Sequence, residues 1–370
     1  MNDHGPTKTR SVAILGSRGI PAEFGGFETF AEQLAVRLVA RGYKVTVFCE
    51  YSQSYRKPDY KGVRLVYLRT PAVPGLRSIW FDSVCILRSL RGYDAVCMLG
   101  YHAAFAFVLP WLLRSNFITN MDGIEWKRDK WSSVAKLYIR SMEFCAAHLS
   151  RRLVADAQGI AEHLQARHGV HHKTTTIPYG AEPVDETPDP SFLKDMSLTP
   201  DSYYLLVCRL EPENHVLEII RGFVQSDSPY QLVIVGDHQA QTDYTQALLS
   251  VADDRVRFTG VIFHQATLQS LRWYCRAYFH GHSVGGTNPS LLEAMACGNH
   301  TVAHDNVFNR EVTAGHADFF ASAADVTTVL SRLDRAVPND AREQLRQRVR
   351  NVYSWETITD QYERLLFTQD

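Results

Sequence analysis

Short apolar segments alternate with longer amphipathic segments along most of the 370-residue chain. One amphipathic segment, FAEQLAVRLVARG, places Phe30, Leu34 and Leu38 on one helical face and ends at Gly42. In the first half of the chain, the apolar segments begin at Ser11, Lys44, Val63, Asp94, Asn116 and Arg152. This alternation is typical of a parallel sheet covered by helices on both faces.

The alternation stops between Ala181 and Ser202, a segment rich in proline and acidic residues that predicts a linker. After this linker the alternation resumes. Its strand segments are YYLLVC, QLVIVGD, VRFTG, AYFHG and HTVAHD, and its helical segments are VLEIIRGFV and TLQSLRWYCRA. The tail from Asn339 again has a helical pattern. We therefore expect an α/β protein of two doubly wound domains facing across a cleft, with ligands beyond the carboxyl ends of the strands.

Composition narrows the class of protein. A hydrophobic content of 45% and a charged content of 21% suit a globular chain, and a net charge of -1 argues against a nucleic-acid partner. Seven cysteines without a CxxC pair indicate a reducing cytosol and no zinc site. The N-terminus lacks the pattern of a signal peptide. The most apolar window, Ala103 to Leu113, is shorter than the about 20 residues that span a bilayer.

The first candidate site lies in SVAILGSRGIPAEFGGFETF, where a strand ends at Gly16 and Gly25-Gly26 open a helix. Glycines allow a ligand to approach the backbone closely, and a helix N-terminus favours an anion. The segment lacks the dinucleotide fingerprint, because Arg18 stands where a second glycine is needed. A tight connection between strand and helix is the alternative interpretation.

The second candidate is Arg209, which directly follows the strand segment YYLLVC. Its guanidinium offers a planar set of donors suited to phosphate. The alternative is a surface arginine paired with Glu211 or Glu213.

The third candidate, HGHSVGGTNPSLLEAMACG, follows another strand. Its Gly-Gly-Thr-Asn run from Gly285 leads to Asn288 as a helix N-cap and to Pro289 in the first turn. The helix would point free N–H groups at the ligand, and Glu293 could accept two sugar hydroxyls. Alternatively, Ser290 and Glu293 form a capping box, which leaves the glycine pair unexplained.

The fourth candidate is NMDGIEWKRDKW, where Asp122 and Glu125 follow a strand. These carboxylates could orient hydroxyls or stabilise positive charge on a sugar, whereas helix capping by Asp122 is the alternative. The basic and aromatic run from Trp126 to Arg140, which includes Lys130, suits either an anionic membrane surface or a solvated helix face. The fifteen histidines show no metal-ligand spacing.

At these four places the sequence resembles the GT-B retaining glycosyltransferases of family four, and more narrowly their bacterial rhamnosyltransferase-like branch. The resemblance covers nearly the whole chain. It implies the GT-B fold, with an acceptor-side domain at residues 1–185, a nucleotide-sugar-binding domain at 186–354 and a last helix, 355–370, that packs back on the first domain. The segments that carry it are GGFETFAEQLAVRLVARGYKVTVF, NMDGIEWKRDKW, VADAQGI, CRLEPEN, HSVGGTNPSLLEAMACG and SWETITDQYERL.

The resemblance also implies roles for individual residues. The residues expected to be catalytic are Asp122, Arg209, which matches a pyrophosphate-binding arginine, and Glu293, which matches a ribose-binding glutamate. The residues expected to bind the donor are Gly25, Gly26, Asn214, His282, Gly286, Thr287, Asn288, Pro289 and Ser290. The residues expected on the acceptor side are Arg18, Phe27 and Glu125.

Three positions depart from the family pattern. Gly285 replaces the first of two glutamates, Asn214 replaces a phosphate-binding lysine, and Asp122 stands where a histidine is common. The change from Lys to Asn removes a charge, which Arg18, His282 or helix dipoles would have to compensate. The narrower branch shares the PEN that follows Arg209 and the GGTNPS that precedes Glu293. The departures therefore indicate a variant enzyme rather than an inactive one.

The sequence therefore predicts a cytoplasmic glycosyltransferase that needs no metal or other cofactor. It would transfer L-rhamnose from dTDP-L-rhamnose to a saccharide or lipid-linked saccharide in bacterial surface-polysaccharide synthesis, with a peripheral contact at the inner membrane. Two alternatives stay open. A nucleotide-sugar epimerase of the same fold would turn over donor alone, and a degenerate nucleotide-sugar-binding or scaffold protein would bind donor without transfer.

Overall fold

The computed structural model describes residues 9–23, 25–73, 76–128, 131–239, 242–338 and 340–368. The chain divides into two compact units. The first contains Met1–Tyr179 and Trp355–Asp370, and the second contains Gly180–Ser354.

In its described residues, the first unit contains a sheet of eight strands in the order β3-β4-β2-β1-β5-β6-β7-β8. The neighbouring strands are parallel except for β3 and β4. The strands are β1 (Ser11–Leu15), β2 (Lys44–Glu50), β3 (Asp59–Tyr60), β4 (Val63–Leu68), β5 (Ala95–Leu99), β6 (Phe117–Asn120), β7 (Arg152–Ala155) and β8 (Thr174–Thr176). The helices between them are α1 (Gly26–Ala40), α2 (Leu76–Ser89), α3 (Val108–Leu112), α4 (Ser133–Leu149) and α5 (Gln158–His168).

The second unit contains a six-stranded parallel sheet in the order β11-β10-β9-β12-β13-β14, again in its described residues. Its strands are β9 (Tyr203–Val207), β10 (Gln231–Val235), β11 (Val256–Gly260), β12 (Ala277–His280), β13 (Thr301–His304) and β14 (Asp318–Phe320). Its helices are α6 (Ser191–Asp195), α7 (Val216–Val224), α8 (Asp243–Val251), α9 (Gln265–Tyr274), α10 (Pro289–Ala296), α11 (Val307–Thr313), α12 (Ala323–Leu333) and α13 (Asp340–Arg348). A π-helical turn, Val349–Tyr353, leads to the last helix, α14 (Trp355–Phe367).

Helices cover both faces of the first sheet. The crossovers from β4 to β5, from β5 to β6 and from β6 to β7 run in one direction across the sheet, and that from β1 to β2 runs in the other. Because such crossovers are right-handed, α2, α3 and α4 lie on one face and α1 on the opposite face. The last helix, α14, packs beside α1, with the ring of Tyr362 5.1 Å from that of Phe30.

The boundary between the units lies between Tyr179 and Gly180, earlier than residue 185. The segment expected to be a linker belongs to the second unit, because its few apolar side chains are buried there. Leu193 of α6 and Leu198 lie in a cluster with the first residues of β9, and the Tyr274 hydroxyl donates to the carbonyl of Pro188. Local composition did not reveal this packing.

The segments interpreted as strands from the sequence all form strands, whereas β3, β8 and β14 were not anticipated. These three are two or three residues long, and β8 consists of threonines that are half-buried or exposed. Such short edge strands have little hydrophobic signal. Within the described part of the chain, no helix combines the length and apolar character needed to cross a bilayer.

Candidate functional site

The second unit collects polar residues at the carboxyl edge of its sheet. Arg209 follows β9, His282 follows β12 and Asn306 follows β13, which are neighbouring parallel strands. The Arg209 side chain is 63% exposed, and its Nη1 lies 3.8 Å from Glu211 Oε1. The expected pairing with Glu211 is therefore present but long, and most of the guanidinium faces solvent.

Asn214 connects two of these groups. Its Nδ2 donates to the carbonyl oxygen of Arg209 at 2.6 Å, and its Oδ1 lies 2.7 Å from His282 Nδ1. Because the amide nitrogen faces a carbonyl, the oxygen must face His282, so Nδ1 of His282 is the donor. Asn214 is buried, and we interpret it as a residue that positions Arg209 and His282. A Cβ on Gly281 would lie 1.8 Å from the Asn214 carbonyl oxygen, which explains that glycine.

The Gly-Gly-Thr-Asn run leads into α10. Gly285 has a φ of 113°, and Asn288 caps the helix by accepting from the backbone N–H of Ser290 at 3.0 Å. Pro289 is the first helical residue, as expected. Thr287 is buried, whereas Gly286, which shares the loop, is half-buried. With Asn288 as the cap, Ser290 is already inside the helix, so the alternative capping box of Ser290 with Glu293 is wrong.

Glu293 lies in the second turn of α10 and pairs with an arginine of α9. Its Oε2 is 2.5 Å from Nη2 of Arg272, whose side chain is almost completely buried, while Glu293 is 37% exposed. Burial alone would lower the pKa of Arg272, but the Glu293 charge raises it above its ordinary value. Arg272 was not anticipated from the sequence. The one available signal was an arginine on the apolar face of a segment with Leu268 and Leu271.

Four histidines gather near the same sheet edge. The rings of His215 and His304 stack at 3.8 Å, and His280 lies 6.1 Å from His282 between ring centres. Burial lowers the pKa of His215 and His304 and holds that of the deeply buried His280 well below its usual range. In the described residues, no group of three or more His, Cys, Asp or Glu side chains is arranged to hold a metal ion.

In the first unit, Gly25 directly precedes α1 with φ 88° and ψ 161°, a conformation that only glycine readily adopts. A Cβ there would lie 2.5 Å from Oε2 of Glu28, whose other oxygen accepts from the backbone N–H of Arg18 at 2.9 Å. Burial raises the pKa of Glu28. This glutamate, not anticipated as part of the site, fastens the glycine-rich loop to α1, while the Arg18 side chain is exposed.

Gly26 begins α1, and its carbonyl accepts from the Tyr179 hydroxyl at 3.1 Å. Phe27 is half-buried, with its ring 3.4 Å from the place that a Cβ on Gly100 would take. The structure thus brings Phe27 next to the carboxyl end of β5, at the same sheet edge as the glycine-rich loop after β1.

Asp122 follows β6 and has a φ of 51°. Its N–H donates to Asn120 Oδ1 at 2.9 Å, and Asn120 Nδ2 donates to the Tyr362 hydroxyl of α14 at 2.8 Å. Burial raises the pKa of Asp122, although the nearby Arg128 charge opposes the shift. The alternative of helix capping is wrong, because the next helical turn begins at Glu125 and has no side-chain cap.

Glu125 and the aromatic residues after it are engaged with one another. Buried Glu125 accepts from Trp131 Nε1 at 3.0 Å and pairs with Arg128 at 3.0 Å. The Trp126 indole N–H donates to buried Glu143 at 2.8 Å. These contacts show a packed local structure at Glu125. Lys130, expected in this basic run, is outside the described residues.

Residues 202–339 match the family model described as Glycosyl transferases group 1. This range lies within the second unit. This match confirms the prediction of a glycosyltransferase, and the matched range contains Arg209, His282 and α10. Residues 9–182 match a second model, described as a domain of unknown function (DUF1972). No protein among those with curated descriptions matches the sequence.

Several solved structures share the fold over nearly their whole length. A sucrose-phosphate synthase from Thermosynechococcus elongatus is 17% identical, with a TM-score of 0.76 over 96% of this chain and 98% of that one. HepE from Anabaena, in complex with UDP and glucose, is 15% identical with the same TM-score and coverage. A UDP-forming α,α-trehalose-phosphate synthase from Burkholderia vietnamiensis is 12% identical, with a TM-score of 0.73 over 98% of both chains. These similarities confirm the GT-B fold.

Proposed function

We propose that this glycosyltransferase transfers a sugar from a nucleotide-sugar to a saccharide or lipid-linked saccharide with retention of anomeric configuration. L-Rhamnose from dTDP-L-rhamnose is the donor that we propose from the sequence resemblance, and bacterial surface polysaccharide is the proposed product class. The donor type is supported by the structure of HepE with UDP and glucose, which shares the fold.

The observation that carries the proposal is the exposed guanidinium of Arg209 at the carboxyl edge of the second sheet. Asn214 joins its backbone to His282, and the loop from His282 leads to the N-terminus of α10. A cation together with a helix N-terminus is suited to a diphosphate. These groups also support the proposal that transfer needs no metal, because they can stabilise the leaving diphosphate themselves.

In the proposed reaction, the bond between the anomeric carbon and the phosphate oxygen breaks as the acceptor hydroxyl oxygen attacks from the same face. The hydroxyl proton passes to the leaving diphosphate, whose negative charge Arg209 stabilises. Glu293 is proposed to accept hydrogen bonds from the ribose, held in place by Arg272. In the first unit, Asp122 is proposed to orient the acceptor hydroxyl. The loop at Gly25 and Gly26 lies at the same sheet edge, two strands away.

A thermal-shift panel tests the donor site. The full chain is heated with dTDP, UDP or GDP, and with their sugars, each in the presence of a chelator. We expect a selective rise in midpoint with one nucleotide, since stabilisation follows the ratio of ligand concentration to dissociation constant. The panel is repeated with Mg²⁺ in place of the chelator. A rise seen only with Mg²⁺ would contradict metal independence alone, whereas no rise under either condition in a folded sample would overturn the donor site.

The selected nucleotide-sugar is then incubated with and without acceptor saccharides, and the products are analysed by mass spectrometry. We expect a glycosylated acceptor only when both substrates are present. Turnover of donor alone would instead indicate the epimerase alternative. Tight donor binding without any product across a broad acceptor panel would favour the binding or scaffold alternative.

A further inference from the structure

One helical layer of the first unit turns apolar side chains toward solvent. These side chains belong to α2, to the helical turn Ala104–Phe107 with α3, and to α4. The neighbouring helix α5 lies on the same sheet face and exposes Glu162 and Arg167. The three elements lie on one face of the sheet by their crossover direction, and the turn at Ala104–Phe107 contacts both α2 and α4. We call the exposed side chains of this layer the outer helical face.

The exposed apolar residues follow helical spacing. On α4, Val134 is 80% and Leu137 66% exposed, and Phe144 continues the same stripe two turns later. On α2, Leu76 and Trp80 are exposed four residues apart. Each helix therefore has a second apolar side in addition to the one buried against the sheet.

The apolar window from Ala103 to Leu113 contributes the middle of the face. Only part of it is buried, because Phe105, Trp111 and Leu112 are about half exposed or more. The segment is too short to span a bilayer, and burial in the core accounts for only some of its apolar residues. Apolar patches of this extent on a soluble domain commonly mark an interaction surface.

The exposed charge on α2, α3 and α4 is basic. The carboxylates of α2 and α4 are Asp82 and Glu143, and both are buried. Glu143 accepts from Trp126, and His163 and His168 lie at hydrogen-bond distance from it. The exposed basic residues on these helices or within two residues of their C-terminal ends are Arg88, Arg91, Arg114, Arg140 and Arg151.

The two tryptophans of the basic and aromatic run, for which a membrane surface and a solvated helix face were the two interpretations, contribute less than this face. The indole N–H groups of Trp126 and Trp131 are bound to Glu143 and Glu125 within the unit. In contrast, the rings of Trp80 and Trp111 are among the exposed large apolar side chains. The outer surface of the helices is therefore better suited to a membrane contact than the indoles of Trp126 and Trp131.

We propose that the outer helical face docks on an anionic lipid surface. Exposed tryptophan and leucine beside arginine suit the interface of a bilayer, where the rings enter the headgroup region and the cations meet anionic lipids. A second copy of the chain fits less well, because a symmetric contact through α2, α3 and α4 would bring two basic surfaces together. The proposal concerns the first unit and goes beyond the transfer reaction, so it can hold or fail independently of the proposed function.

Vesicle flotation of the full chain tests the proposal. Phosphatidylcholine vesicles are compared with vesicles that also contain phosphatidylglycerol, at low and high salt. We expect the protein to float with the anionic vesicles and to be released by salt, since the ionic part is screened. Absence of flotation with anionic vesicles would overturn the proposal.

Two variants assign the binding to this face. In the variant W111S/L112S we expect vesicle affinity to fall on the order of tenfold or more, because two apolar side chains no longer enter the interface. In the variant R88E/R114E we expect vesicle affinity to fall roughly fivefold or more for each arginine replaced. All four side chains are exposed, so folding should be retained and is checked by circular dichroism.

The matched controls are V307S and R335E, whose exposed side chains lie in the second unit. Equal loss of vesicle binding in these controls would overturn the assignment to the outer helical face. Size-exclusion chromatography supplies a further check. A dimer of the wild type that W111S/L112S converts to monomer would overturn lipid docking in favour of contact between two copies.

Discussion

The side-chain amide of Asn214 joins the imidazole of His282 to the backbone of Arg209. Its Oδ1 lies 2.7 Å from His282 Nδ1, and its Nδ2 donates to the Arg209 carbonyl at 2.6 Å. One buried side chain thus sets the position of the exposed cation and the orientation of the imidazole. The asparagine that replaces a family lysine has an architectural role here, because both ends of its amide are bonded within the unit.

Replacing Asn214 with Ala should lower the free energy of unfolding by about 1–3 kcal/mol, since the Arg209 carbonyl and the half-buried His282 each lose a hydrogen-bond partner. It should also weaken nucleoside-diphosphate binding several-fold, because Arg209 and His282 lose their fixed positions. Urea denaturation and calorimetric titration measure the two effects. Asn116→Ala is the control, since Asn116 Nδ2 donates to the Leu366 carbonyl at 2.7 Å in the first unit. Unchanged affinity in Asn214→Ala would contradict the positioning role.

Arg209→Ala should weaken diphosphate binding about tenfold or more and leave stability nearly unchanged. The guanidinium is mostly exposed and its contact with Glu211 is long, so the fold loses little when it is removed. A charge-assisted contact with phosphate, in contrast, contributes strongly to binding. Calorimetric titration compares this variant with the exposed Arg335→Ala. Equal affinities in the two variants would remove Arg209 from the site.

Glu293→Gln should reduce stability by about 1–3 kcal/mol, because buried Arg272 keeps its charge without a carboxylate partner. Because Glu293 is partly exposed, we expect this loss of stability to be smaller than the cost of breaking a fully buried ion pair. The double variant R272M/E293Q should recover much of the loss. Chemical denaturation of both single variants and the double variant measures the coupling. If nucleotide affinity also recovers in the double variant, Glu293 acts through structure and does not contact the ribose.

Gly25→Ala should be more damaging than Gly42→Ala, although the two glycines have nearly equal φ values of 88° and 87°. A Cβ at position 25 would meet the Glu28 carboxylate, whereas one at position 42 has no neighbour within 4 Å. We expect a cost of roughly 1 kcal/mol at position 42 and about 1–3 kcal/mol at position 25. Thermal unfolding and transfer activity are measured for both. Equal effects would show that contact with Glu28 is unimportant.

Stability should fall as pH decreases below about 6.5, partly because of His280. Burial holds the pKa of folded His280 well below its usual range. The unfolded chain therefore binds more protons in this window, and each such histidine can cost up to about 1.4 kcal/mol per pH unit. The contribution of His280 to the free energy of unfolding is fully present above pH 6.5 and declines as the pH falls toward the pKa of His280 in the folded protein.

The variant His280→Leu should reduce this decline between pH 6.5 and 5. It should not abolish the decline, because burial also lowers the pKa of His215 and His304. Thermal midpoints across this range are compared for the wild type, His280→Leu and the exposed control His316→Leu. An identical slope in His280→Leu and wild type would show that His280 does not carry the effect.

Much of the local structure could be predicted from sequence because it depends on neighbouring residues. Apolar segments of strand length identified the central strands of both sheets, and Asn288 followed by Pro289 marked the start of α10. Strand ends then located Arg209 and Asp122, since ligands in parallel sheets bind beyond that edge. Spacing within one element is sufficient for such inferences.

The missed residues depend on contacts between distant segments. Glu293 meets Arg272 on another helix, and the Asn120 amide reaches Tyr362, 242 positions later in the chain. No local pattern marks such pairs, because they exist only once strand order and helix packing bring their elements together.

The sequence by itself determined two α/β units, the glycosyltransferase character of the chain and the strand ends that carry candidate groups. The tertiary structure alone decided what those groups do. It showed that Asn214 bonds inward to His282 and that the side chains of Trp111 and Leu137 face solvent. Hydrophobicity requires burial somewhere without specifying the partner, and a hydrogen bond depends on distances that only the packed chain defines.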